Sequence, residues 1–159
     1  MELWIVRHGV AEDRSAKVKE GERALTEEGR ERFGEVVAGL RGLGVRLDVV
    51  LTSPWRRAVE TARLLAPLAS REVEETELLL GDPTEALLER LVSTRAASVA
   101  VVGHEPWLSE LASLLVAGQA DAAHVRLKKG GVAQLEGEPV PGGMEIVLLL
   151  PPRLLRRLA

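Results

Sequence analysis

Leu3-Trp4-Ile5-Val6-Arg7-His8-Gly9 is the stretch that decides the fold. Four apolar residues in a row, with no polar alternation, read as a short strand buried on both faces. Burial of both faces requires helices above and below a largely parallel sheet. The run then stops on an arginine and an imidazole. In open α/β sheets, ligands bind outside the carboxyl ends of the strands, which is where Arg7 and His8 stand. Arg7 offers a planar fork of donors suited to phosphate or carboxylate. His8 is largely neutral near pH 7 and strongly nucleophilic. Gly9 allows a sharp turn and leaves a ligand room against the backbone. The same residues also fit a plain strand end with a surface Arg and His, so the rest of the chain has to decide.

Working outward, Val10 to Arg23 is charged, rich in small residues and without a period, and reads as a loop over the strand end. Thr26 is a candidate N-cap for a helix through Phe33, Val36, Val37 and Leu40, stopped by Gly42 and Gly44. Leu47 to Leu51 is a second strand, and Pro54 is expected in the first turn of the next helix with Ser53 as its cap. Arg56 and Arg57 follow at once, adding full charge to a helix end that already favours anions. Arg71 to Glu75 is a polar edge strand, and Thr84 caps a helix to about Ser93. Ser98 to Val102 is another buried strand, ending in Gly103-His104-Glu105-Pro106. Val125 to Leu127, Val132 to Leu135 and Met144 to Leu150 are late strands joined by short turns, and Arg153 to Ala159 is a terminal tail of one or two helical turns with Arg153, Arg156 and Arg157 on a solvated face. The order predicts one domain over 1–159, a three-layer α/β/α sandwich with a mainly parallel sheet and an antiparallel edge.

Composition narrows the function. The chain has 159 residues, enough for a real core, and 46% are hydrophobic. Net charge is -3 and aromatics are 3%, which argue against nucleic acid as a partner. Without cysteine there are no disulfides or thiolate metal sites. No apolar run reaches the length of a membrane span, and a cytoplasmic protein is expected.

A parallel sheet brings three strand ends to one side: Arg7-His8, Ser53-Pro54-x-x-Arg57 and Gly103-His104. Two imidazoles and two guanidiniums there would make a pocket for a dianion, and phosphoryl is the natural candidate. Phosphoryl transfer needs positioning and charge more than elaborate bond chemistry. Arg7 and Arg57 would hold the oxygens, His8 would attack phosphorus, and His104 would donate to the oxygens. Nearby cations disfavour protonation of His8. No metal or cofactor is required. A metal site of His8, His104 and His124 is conceivable by ligand type, but no compact ligand spacing supports it.

Leu3-x-x-Val6-Arg7-His8-Gly9, Ser53-Pro54-x-x-Arg57-Ala58-x-x-Thr61-Ala62 and Gly103-His104, taken in order, resemble the histidine phosphatase (phosphoglycerate-mutase-like) superfamily. Leu25-Thr26-Glu27-Glu28-Gly29 matches its helix opening. The resemblance implies that fold, with His8 as nucleophile, Arg7 and Arg57 as phosphate clamps and His104 as the second pocket histidine. Gly9 and Ser53 are expected to contact substrate. Val10-Ala11-Glu12-Asp13-Arg14 lacks the mutase pattern. No acid stands at the place in Leu78-Leu79-Leu80-Gly81-Asp82-Pro83 where many family phosphatases protonate an alcohol; Glu77 and Asp82 are only near it. An alkoxide needs that proton, whereas an imidazole leaves readily. With Gly103-His104-Glu105-Pro106 and the compact length, the chain is most similar to the SixA-type protein phosphohistidine phosphatases. Lys129-Gly130 departs from a Thr-Gly common in that group. The expected substrate is a phosphohistidine on a signalling or phosphotransfer protein. The alternatives are a small phosphate ester, using Glu105, Glu77 or Asp82 as acid, and a non-catalytic phospho-ligand module. Glu105 reads more simply as a helix-start carboxylate.

Overall fold

A computed structural model describes residues 1–159 of the protein. Its centre is a six-stranded sheet in the order β3-β2-β4-β1-β5-β6. The strands are β1 (Glu2–Arg7), β2 (Val49–Thr52), β3 (Val73–Glu75), β4 (Ser98–Gly103), β5 (Val132–Gly137) and β6 (Met144–Leu150). The first four are parallel, and β5 and β6 join antiparallel.

Alternation along the apolar strands sorts the core into two layers, because successive side chains point to opposite faces. Leu3 and Ile5 of β1 face the same way as Val49 and Leu51 of β2 and Val99 and Val101 of β4. They pack under α3 (Glu85–Ser93) and α4 (Trp107–Ala117), through Leu87, Leu91, Leu108 and Leu111. Trp4, Val6, Val50, Ala100 and Val102 face the other way, against Phe33, Val36 and Leu40 of α1 (Glu27–Gly42) and Ala58, Ala62 and Leu65 of α2 (Arg56–Leu65). Each fully buried leucine of this kind is worth about 1.5–3 kcal/mol over exposure. No helix is long and apolar enough to cross a membrane.

Thr26 caps α1 as expected, its hydroxyl accepting from Gly29 N at 2.9 Å. Gly29 allows a close approach here: a Cβ would stand 2.0 Å from the Val10 carbonyl oxygen. The amino end of α1 therefore sits directly on the chain leaving β1.

Three local expectations change. α2 begins at Arg56, not Pro54, and its cap position is Trp55 with no side-chain bond. Ser53 instead turns the chain before the helix, its hydroxyl accepting from Trp55 N at 3.2 Å. Val125 to Leu127 is not a strand; it has no ladder partner because β5 already fills the edge of β1. The tail forms the expected helical turn, but its face is not wholly solvated. α5 (Pro152–Arg156) buries Leu155 against α1, and its Arg156 pairs with Glu35 at 2.5 Å.

Candidate active site

Register places the site. Arg7 of β1 lies level with Gly103 of β4, and Thr52 of β2 level with Val102. His8, His104 and Ser53 therefore leave three neighbouring strands side by side. The imidazole centres of His8 and His104 are 5.2 Å apart. Arg7, His8, Arg57, His104 and Glu105 line one cavity of about 520 Å³.

His8 is 5% exposed and held on both nitrogens. Its Nδ1 lies 2.6 Å from the Gly9 carbonyl oxygen, and its Nε2 lies 3.2 Å from Arg57 Nε. A carbonyl only accepts and a guanidinium only donates. The ring is therefore protonated at Nδ1 and keeps its lone pair on Nε2. Burial drives its pKa down to about 3, and the charges of Arg57, Arg7 and Lys129 act in the same direction. Thr61 couples His8 to α2: its hydroxyl accepts from Gly9 N at 3.1 Å and donates to the Arg57 carbonyl at 2.7 Å.

Arg7 is fixed by its own backbone and by a later segment. Its Nη1 donates to the Leu127 carbonyl at 2.8 Å. Gly130 N donates back to the carbonyls of Arg7 and His8, and Arg7 N donates to the Gly131 carbonyl. A φ of +76° at Gly130 makes this turn accessible to glycine. Burial lowers the Arg7 pKa, opposed by Glu105. Arg57 is 3% exposed, and burial takes its pKa to about 10, still charged at neutral pH.

His104 Nε2 lies 2.8 Å from Ser53 Oγ, and burial followed by the neighbouring His8 and arginines takes its pKa to about 3. Ser53 thus reaches the site through His104. Trp55, which sequence reasoning passed over, sits between His104 and Arg57. Its ring lies 4.7 Å from His104, with the Arg57 guanidinium 4.6 Å over its face. Trp107 stands edge-on to His104 at the pocket rim. The signal for Trp55 was its position two residues before Arg57 at a helix start.

Glu105 is more than a helix-start carboxylate. It lines the cavity beside Arg7, and burial raises its pKa, opposed by Ser109 and Arg7. Glu77 and Asp82 do not line it. Arg56 points away to an exposed pair with Glu60 at 3.1 Å. Lys129 joins the cavity wall. His124 lines a second cavity of about 740 Å³, which adjoins the first through Arg7, Glu105 and Lys129. The three histidines do not gather as a metal-ligand group. Sequence reasoning also missed Glu20 and Arg23, whose side chains enter the cavity from the loop after β1.

A helix-flanked parallel sheet whose strand ends deliver Arg-His-Gly, a helical arginine and a second histidine defines a phosphoryl-handling enzyme class. The chain belongs to the histidine phosphatase superfamily: the family model for its branch 1 matches residues 3–80. The chain is 37% identical over 142 residues to an uncharacterised protein of Picosynechococcus sp., covering 85% of this chain and 84% of that one. Among solved structures it is similar to the protein histidine phosphatase SixA complexed with tungstate. The TM-score is 0.82 at 25% identity, over 96% of this chain and 98% of that one. The alpha-ribazole phosphatase of Shigella flexneri shares the fold, with a TM-score of 0.71 at 19% identity over 96% and 97% of the two chains.

Proposed function

We propose that this phosphatase removes the phosphoryl group from phosphohistidine on a signalling or phosphotransfer protein, through a covalent intermediate on His8. The carrying observation is the His8 ring, neutral and with its Nε2 lone pair turned to Arg57. In the first step Arg57 gives up its hydrogen bond to His8 Nε2 for the phosphoryl oxygens, the freed Nε2 lone pair attacks phosphorus in line, and the bond from phosphorus to the substrate nitrogen breaks. The substrate ring leaves as neutral imidazole, already carrying a proton on its other nitrogen. Arg7, Arg57 and His104 hold the equatorial oxygens while charge shifts across them. Water then attacks phosphorus, the bond to His8 Nε2 breaks, and the water proton passes to phosphate or solvent. His8 keeps its Nδ1 proton on Gly9 throughout.

Two things favour phosphohistidine. The likeness to SixA runs over nearly the whole of both chains. The carboxylates near the end of β3, Glu77 and Asp82, stay out of the cavity. Neither a metal nor a cofactor enters the scheme.

One observation favours a second reading, hydrolysis of small phosphate esters. Glu105 lines the cavity beside Arg7, burial raises its pKa, and its Oε1 is buried with no hydrogen-bond partner, while Oε2 accepts from Ser109 Oγ. A proton taken up on that free oxygen could pass to a departing alkoxide.

The test compares phosphate release from a phosphohistidine-bearing protein with release from p-nitrophenyl phosphate and several sugar phosphates, with His8→Ala as control. Preferred turnover of phosphohistidine, lost in His8→Ala and kept in Glu105→Gln, supports the first reading. Equal turnover of sugar phosphates, abolished in Glu105→Gln, replaces it with the second. Phosphate binding without any turnover would leave a binding module.

A further inference from the structure

Arg57 divides its guanidinium between two neighbours. One edge meets His8. On the other, Nη1 donates to the Glu20 carbonyl oxygen at 2.7 Å, and Nη2 donates to Glu20 Oε1 at 3.1 Å. The Glu20 carboxylate also accepts from Arg23, at 2.5 Å through Nη2 and 3.1 Å through Nε. Arg14 lies 3.4 Å from Oε2, but its side chain is 83% exposed and adds little. A single carboxylate therefore binds two sheltered arginines at the mouth of the phosphoryl pocket.

This is a built arrangement rather than a chance surface pair. Arg23 is anchored a second time, to the Glu12 carbonyl at 2.7 Å. Gly21, next to Glu20, lies flat on Trp55; a Cβ there would stand 2.8 Å from Trp55 Cδ1. Trp55 in turn carries the Arg57 guanidinium on its face. The short 3-10 turn Glu20–Glu22 is thus packed so that the Glu20 side chain meets Arg57 and Arg23.

The consequence is electrostatic. Arg7, Arg23, Arg57 and Lys129 all line the cavity. With that many cations, inorganic phosphate would be held tightly after hydrolysis. A fixed negative charge about one hydrogen bond from Arg57 opposes that grip, and in a partly screened site such a charge is worth a large factor in binding. We propose that Glu20 is a positioning residue that sets the phosphate affinity of this pocket: it offsets Arg57 and Arg23 so that the phosphoryl group is held for reaction and phosphate is then released. The inference rests on the phosphoryl pocket of the superfamily reading and not on which molecule carries the phosphoryl group.

Calorimetric titration with inorganic phosphate, together with steady-state kinetics, compares the protein with Glu20→Gln and Glu20→Asp. Glutamine leaves the main-chain bond to Arg57 in place and removes only the charge. Glu20→Gln is expected to bind phosphate about tenfold more tightly. KM should fall with it, and kcat should fall as phosphate release slows. Glu20→Asp keeps the charge and should bind phosphate within about threefold of the parent protein. Phosphate binding to Glu20→Gln that is unchanged or weaker overturns the proposal. If that variant does not fold, Glu20→Ala gives the same reading, because the Glu20 carbonyl still holds Arg57. A parent protein that binds phosphate but ignores phosphohistidine sinks the substrate assignment and leaves the Glu20 test intact.

Discussion

The phosphoryl pocket has two walls held in different ways. The wall from the segment after β1 is fastened by charge: Glu20 to Arg57 and Arg23. The wall from the segment before β5 is fastened by backbone. Gly130 N bonds the carbonyls of Arg7 and His8, Gly131 accepts from Arg7 N, and the Leu127 carbonyl takes the Arg7 guanidinium. A phosphate dianion competes with a carboxylate for the same arginines. It cannot compete for amide hydrogens already paired inside a turn. The first wall is thus suited to tune affinity, and the second to fix where the arginine and imidazole point.

The sharpest break of this comparison comes from the residue both walls serve. His8→Ala is expected to lower turnover by roughly 10⁴-fold or more, since a nucleophile acts with its partners as a unit. Single-turnover phosphate release checks it. Replacing Arg57 with Lys should cost about 10²–10³ in kcat, the size seen when a preorganised donor to a developing oxyanion is lost. The lysine has no fork to span both His8 and Glu20.

Acid should act on the two histidines together. Their folded pKa values are about 3, well below an unfolded value near 6.5. A group depressed in this way contributes full stability above pH 6.5 and loses it as pH falls toward 3. At pH 5 the loss is about 2 kcal/mol for each ring. Urea midpoints from pH 8 to pH 4.5 should therefore fall, and the slope should halve in His104→Asn. Ring NMR shifts showing either imidazole protonated at pH 6 would contradict the burial argument.

Smaller changes separate the walls. Gly130→Ala puts a side chain on a left-handed residue and is expected to cost about 1–2 kcal/mol. Its urea midpoint should drop and kcat with it, whereas Glu20→Gln, which keeps the main-chain bond to Arg57, should act chiefly on phosphate affinity. Arg56→Ala, beside Arg57 but facing solvent, should change stability by less than about 0.5 kcal/mol and kcat/KM by less than about threefold. A loss as large as that of Arg57→Lys would mean the wrong arginine has been placed in the pocket.

Much of the site could be read from the chain because each part ends or begins an element. Arg7, His8 and His104 follow uninterrupted apolar strands, and Arg57 opens a helix just after another. Those are positions where period and polarity change together. Glu20, Arg23 and Trp55 carry no such mark. Glu20 and Arg23 lie in an aperiodic charged segment, where every residue looks like solvated surface, and the pairing of Glu20 with Arg57 spans 37 positions. The missing strand at Val125 to Leu127 has the same cause. An apolar triplet looks like a strand until the edge it would join is taken by β5.

The sequence by itself determined the layered α/β sheet, through strand burial, and put Arg7, His8, Arg57 and His104 forward as the candidate site. Arg7, His8 and His104 stand out at strand ends, and Arg57 was singled out over Arg56 by the family resemblance. Only the tertiary structure decided the tautomer of His8, the burial that makes Glu105 a candidate acid, and the binding of Glu20 to the clamp arginine. Those depend on desolvation and on contacts between distant segments, and neither is encoded in any short window of the chain.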